Sequence, residues 1–142
     1  MAYEVNKVDV FAGSLADRPG GLADKLEALA GAGANLEFVV ARRSPEGPGS
    51  AVVFVAPIKG PKQIRAAQGQ GMSKTDSLHS LRVEGPDKSG LGARITRTIA
   101  DAGINMRGLS AAALGRRMVV YFAFDSNDDA RKAAAVLKKA LK

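Results

Sequence analysis

The sequence has no cysteine and no tryptophan, a single histidine (His79), and aromatic residues at only 5% of its 142 positions. Each scarcity excludes a class of protein. Without cysteine there are no disulfide frameworks, thiolate zinc sites, iron–sulfur clusters or thiol nucleophiles. One histidine makes no histidine-rich metal site, so no metal and no other cofactor is expected. Long apolar runs are missing too: Ala51 to Ala56, continued by Pro57-Ile58, is far short of the ~20 residues that cross a bilayer. The start, Met1 to Lys7, shows neither the basic nor the apolar region of a secretory signal, so the expectation is a cytoplasmic protein with no membrane partner.

What is present suffices for a core. At 46% hydrophobic residues, a chain of this length buries roughly two-thirds of its unfolded surface without staples. The formal net charge is +7 and is uneven: residues 1–70 hold eight Lys/Arg against seven Asp/Glu, residues 71–142 thirteen against seven.

A shift of 70 residues lays Asp17–Leu36 over Asp87–Met106. Identical pairs are Asp17/Asp87, Gly20/Gly90, Ala23/Ala93, Ala30/Ala100, Ala32/Ala102, Gly33/Gly103 and Asn35/Asn105. Two copies of one unit follow, residues 1–75 and 76–142. In each, alternation predicts a half-buried first strand, Val5–Ala12 in copy one and Leu78–Glu84 in copy two. On that reading Ala12-Gly13-Ser14-Leu15-Ala16 makes the approach to Asp17 about three residues longer than the approach to Asp87. Asp17 and Asp87 are then candidate caps of a first helix that runs to Gly33 or Gly103. Asn35–Arg42 and Asn105–Ala113 read as second strands, Ala51–Ala56 and Met118–Phe124 as continuous apolar third strands. Pro61–Gly69 and Asp128–Leu141 read as second helices, the latter with acidic residues at its start and Lys138, Lys139 and Lys142 at its end, as the helix dipole favours. A fourth strand is expected only in copy one, near Met72–Ser77. Copy two lacks its own C-terminal strand, and the edge so left invites coverage by the other copy or a second chain.

This order, with Asp17-Arg18-Pro19-Gly20-Gly21-Leu22 after the first strand and Gly33-Ala34-Asn35-Leu36 or Gly103-Ile104-Asn105-Met106 at the helix-to-strand turn, resembles the ACT domain. The resemblance covers nearly the whole chain as two tandem copies. It implies an α+β protein of two ferredoxin-like βαββαβ repeats, with antiparallel sheets, helices on one face, and no catalytic activity of its own. It also implies a small effector, usually an amino acid, bound between units. Carried onto this chain, the groove falls on Asp17, Gly20, Gly21, Leu22 and Asn35 in copy one, and on Asp87, Gly90, Leu91 and Asn105 in copy two. A helix N-terminus offers N–H groups and positive potential to an α-carboxylate, glycine allows close approach, and an aspartate accepts from an α-ammonium. Signalling is then expected through a homodimer or a separately encoded enzyme.

Two other classes are weighed. An enzyme finds no nucleophile elbow, phosphate-cradling lysine loop or metal-binding helix in the sequence. An RNA- or protein-binding module without small-ligand sensing is the alternative, because the basic turn Gly115-Arg116-Arg117 leads into the aromatic strand Tyr121-Phe122-Ala123-Phe124. RNA readers of this kind need solvent-facing aromatics on central strands, and the Leu78–Glu84 strand has none, which argues against nucleic acid. With Lys138, Lys139 and Lys142 accounted for by the helix end, the remaining excess, chiefly Arg94, Arg97, Arg107, Arg116 and Arg117, points instead to an acidic protein partner.

Overall fold

A computed structural model describes residues 3–45, 48–74 and 79–142. In chain order the elements are β1 (Glu4–Val8), β2 (Phe11–Ala16), α1 (Gly21–Gly31), β3 (Phe38–Arg43), β4 (Ser50–Ala56), α2 (Gly60–Gly69), β5 (Ser73–Lys74), β6 (His79–Pro86), α3 (Leu91–Asp101), β7 (Met106–Leu114), β8 (Arg117–Phe124) and α4 (Asn127–Ala140). They make two compact units, Asp9–Thr75 and Met1–Val8 with Asp76–Lys142, called here the first and second unit. Each is an antiparallel four-stranded sheet with two helices, the α+β, βαββαβ-type arrangement expected.

The first unit has strand order β3-β4-β2-β5. Its central strand β4 buries Ala51, Val53 and Val55 at alternate positions, the period that puts one face of a strand on a core. Around Val53 and Val55 gather Phe11, Leu29, Ala67 and Met72, with Leu15, Leu22, Leu26 and Ile64 at the margin. The expected fourth strand is short. β5 pairs only through Phe11↔Lys74 and Ala12↔Ser73, and residues 75–77 of the expected strand lie outside the described residues.

The second unit has order β1-β6-β8-β7. Leu81, Val83, Val120, Phe122 and Phe124 from the sheet pack against Leu91, Ile95 and Ile99 of α3 and Ala133 and Leu137 of α4. The missing C-terminal strand is supplied from the start of the chain: β1 runs antiparallel to β6, with Glu4↔Glu84, Val5↔Val83 and Val8↔Ser80 in register. Val5 is 6% exposed in this core, and the Tyr3 hydroxyl donates to the Pro86 carbonyl at 2.8 Å.

This corrects the reading of Val5–Ala12 as one strand. Residues 4–8 and 11–16 are separate strands in different sheets, and the first eight residues group with the second unit rather than with residues 9–75. Alternation says that a strand has one buried face but not which sheet it joins. The long approach to Asp17 disappears with it. β2 and β6 end at Ala16 and Pro86, directly before Asp17 and Asp87, so the shift of 70 holds through both strands.

Candidate functional site

In both units the turn after the first strand is tied to the hairpin beside it. Asp17 N–H donates to the Gly49 carbonyl at 3.1 Å and Asp87 N–H to the Arg116 carbonyl at 2.8 Å. The chain then turns through Gly20 (φ 85°) or Gly90 (φ 80°) into α1 or α3. That left-handed conformation is open to glycine at little cost, which accounts for the shared glycine. Neither Asp17 nor Asp87 caps its helix: the N-cap residues are Gly20 and Gly90, with no side-chain cap. The expected capping role is therefore corrected, and the first-turn amides of both helices have no side-chain acceptor, the arrangement that favours an anion.

The two aspartates differ. The Asp17 carboxylate accepts from Arg43 Nε at 2.7 Å. Arg43 pairs across the hairpin with Ala51, and its equivalent, Ala113, pairs with Met118. An alanine cannot make that ion pair, and among the described residues the Asp87 carboxylate has none. Arg18, on the turn, reaches Asp24 at 2.8 Å.

Gly21 is buried, and a Cβ there would lie 2.4 Å from the Ala16 carbonyl oxygen, so packing alone demands glycine. Leu22 is half-buried against the first core. Leu91 is 5% exposed within the second core, and its N–H donates to the Lys88 carbonyl at 3.1 Å. Asn35 and Asn105 are exposed and follow the helix stops. The left-handed residues there are Gly33 (φ 87°) and Gly103 (φ 77°), and no described non-glycine residue has positive φ. Ala34 N–H closes onto the Leu29 carbonyl at 3.0 Å, a Schellman-type end. With 11 residues, α1 is about 16 Å long. Within one unit the structure therefore brings Asp17, Gly20, Gly21 and Leu22 together and leaves Asn35 at the far end of the helix; the second unit separates Asp87, Gly90 and Leu91 from Asn105 in the same way.

One polar cluster escaped the sequence reading. Glu84 of β6 accepts from Arg82 Nη1 at 2.8 Å and faces Arg117 Nη2 at 3.6 Å. Arg82 Nε also donates to the Tyr121 hydroxyl at 3.0 Å, its guanidinium 5.8 Å from that ring's centre. The hydrogen bond from Arg82 holds the Glu84 carboxyl below its usual range, against an opposing push from burial. Arg82 and Glu84 are two apart on one strand face, a signal visible in the sequence; the approach of Tyr121 and Arg117 is not. The aromatic strand offers no stacking platform: Tyr121, Phe122 and Phe124 are 7%, 1% and 0% exposed. Among the described residues, no helix is long and apolar enough to cross a membrane, and no group of three or more His, Asp or Glu could hold a metal ion.

The family model of the ACT domain matches residues 79–142. No curated protein matches the chain. Among solved structures, protein BT0572 of Bacteroides thetaiotaomicron is similar with a TM-score of 0.78 at 17% identity, covering 95% of this chain and 89% of that one. The ligand-free regulatory subunit of aspartate kinase from Thermus thermophilus gives 0.67 at 14% identity, covering 100% and 98%. Aspartate kinase of Clostridium acetobutylicum, described as an allosteric enzyme, gives 0.64 at 13% identity, covering 99% of this chain but 34% of that one. At these identities the likeness is one of fold. The first unit repeats the sequence of the second at a shift of 70 and its strand order, and the second unit, over residues 79–142, is an ACT domain by its family match.

Proposed function

We propose that the chain is a non-catalytic cytoplasmic regulator that binds an amino acid at the turns before α1 and α3 and signals occupancy through a changed interface, as a homodimer or on a separately encoded enzyme. One observation carries the reading: a family-matched ACT unit whose loop, with its aspartate, left-handed glycine and uncapped helix start, recurs in the other copy. The α-carboxylate sits on the first-turn amides left without an acceptor, at Leu22-Ala23 or Gly92-Ala93, since Gly21 and Leu91 N–H donate to the Arg18 and Lys88 carbonyls, and the α-ammonium sits on Asp17 or Asp87. Asn35 or Asn105 completes the groove from a neighbouring unit, since neither reaches the loop of its own. The existence of a fold-alike both as a separate regulatory subunit and as part of a kinase chain favours an enzyme as the recipient of the signal. The coupling is linkage: effector shifts the interface by its differential affinity for two arrangements, typically about 1–3 kcal/mol.

The test is a thermal-shift screen of the twenty amino acids. A ligand at ~100 times its Kd stabilises by about 2.7 kcal/mol, a rise of several degrees. Because Arg43 engages Asp17, Asp87→Asn is expected to reduce the shift more than Asp17→Asn. If no amino acid moves the midpoint, the reading fails.

A further inference from the structure

Nearly half of the chain's excess positive charge lies on the helix layer of the second unit. Arg94 and Arg97 on α3, and Arg131, Lys132, Lys138 and Lys139 on α4, are all exposed. Against them the layer has Asp101, Asp128 and Asp129. Arg97 approaches Asp101 at 3.9 Å and Arg131 pairs with Asp128, while Arg94 donates to the Ala140 carbonyl. Among the described residues Lys132, Lys138 and Lys139 have no ion pair. The arginines of the sheet are differently occupied: Arg107 faces Asp125 at 3.7 Å, and Arg117 faces Glu84.

Helix electrostatics account for only part of this. Lys138 and Lys139 lie in the last turn of α4, where the dipole favours cations. Arg94 lies in the first turn of α3, where it does not. The repeat supplies an internal control. The corresponding layer of the first unit mixes Asp24, Lys25, Glu27, Lys62 and Arg65, and Lys25 is turned onto the Gln70 carbonyl. One fold carries both layers, so the fold does not require the basic one.

The chemistry of the face selects its occupant. Among the described residues the exposed large hydrophobic ones, Val39, Leu109 and Leu114, are all on strands, so the helix layer has nothing to insert into a bilayer. With Tyr121, Phe122 and Phe124 buried, it has no stacking surface for single-stranded nucleic acid. Dispersed cations with Asp101, Asp128 and Asp129 among them complement carboxylates borne on flexible side chains of a polypeptide, which can turn away from the aspartates, better than the fixed phosphates of a duplex. Exposed Ala93, Ala100 and Ala135 between them allow close approach. We propose that α3 and α4 of the second unit form a docking face for an acidic protein; this surface is independent of the effector loops.

The experiment is fluorescence anisotropy with labelled poly-L-glutamate as the probe, at low and at physiological salt. The comparison is between the Lys132→Glu/Lys138→Glu/Lys139→Glu triple variant and a first-unit control, Lys59→Glu/Lys62→Glu/Arg65→Glu, with the same change in net charge. Circular dichroism checks folding, and a Lys→Gln triple at 132, 138 and 139 repeats the measurement with a milder change. The second-unit triples are expected to weaken binding at least tenfold, and at least three times more than the control. A smaller loss, a control loss as large, or tighter binding of duplex DNA than of polyglutamate to the wild-type protein at physiological salt overturns the proposal.

Discussion

Truncating Val5 to alanine tests whether the first strand of the chain belongs to the second sheet. Val5 is 6% exposed and sits opposite Val83, itself 0% exposed, in the β1–β6 ladder. The substitution removes two methyl groups, about 1.6 kcal/mol at ~0.8 kcal/mol each. A cavity adds to that, limited because β1 is an edge strand that can settle inward, so the expected loss is about 1.5–2.5 kcal/mol. Against a typical stability of ~5–15 kcal/mol, this is readily measured. Native-state hydrogen exchange is the suitable assay because it reports each unit separately. Protection should fall for amides of β6 and α3, such as Leu81 and Ile99, and much less for Val53 and Val55 of β4. Tyr3→Phe, which removes the hydrogen bond to Pro86, should cost about 1 kcal/mol in the same region. A Val5→Ala loss below about 0.5 kcal/mol, the usual size of a surface effect, or a loss centred on β4, would refute the assignment.

Two further outcomes follow from local geometry. Gly21→Ala forces a methyl to within 2.4 Å of a backbone carbonyl that cannot swing away, and should cost at least ~1–3 kcal/mol in a denaturant melt; Gly92→Ala, with nothing within 4 Å, should be neutral or stabilising, and equal effects would contradict the packing argument. Glu84 has a carboxyl held low by Arg82, so its contribution is complete above the ordinary carboxylate pKa of about 4.3 and is lost as pH falls from there through the folded value. Urea midpoints between pH 7 and pH 3 should therefore fall more steeply for wild type than for Glu84→Gln; parallel profiles would show that the ion pair adds nothing.

Much of each unit was legible in order. Helix stops at Gly33 and Gly103, apolar third strands and an acid-to-basic polarity along α4 are local signals, and all reappear within a residue or two of their expected bounds. The effector loops were legible as a repeat but not in their detail. Asp17 and Asp87 looked alike as caps; the ion pair that separates them depends on Arg43, which lies across a hairpin and reaches Asp17 through strand pairing. Likewise Gly21 reads as a flexible or ligand-facing glycine until the Ala16 carbonyl is seen against it. Nor does charge counting in sequence distinguish Arg117, which is spent on Glu84, from Arg94 and Arg97, which stand on an open helix face.

By itself the sequence determined the class of molecule: a repeated α+β unit without thiol or histidine chemistry, because composition, period and glycine placement act on each residue through its near neighbours in the chain. Only tertiary structure decided that residues 4–8 complete the sheet of residues 79–124. Alternation marks a strand as having one buried face, whereas the choice of sheet depends on which core lacks an edge, and here the vacant edge was that of the copy without its own last strand.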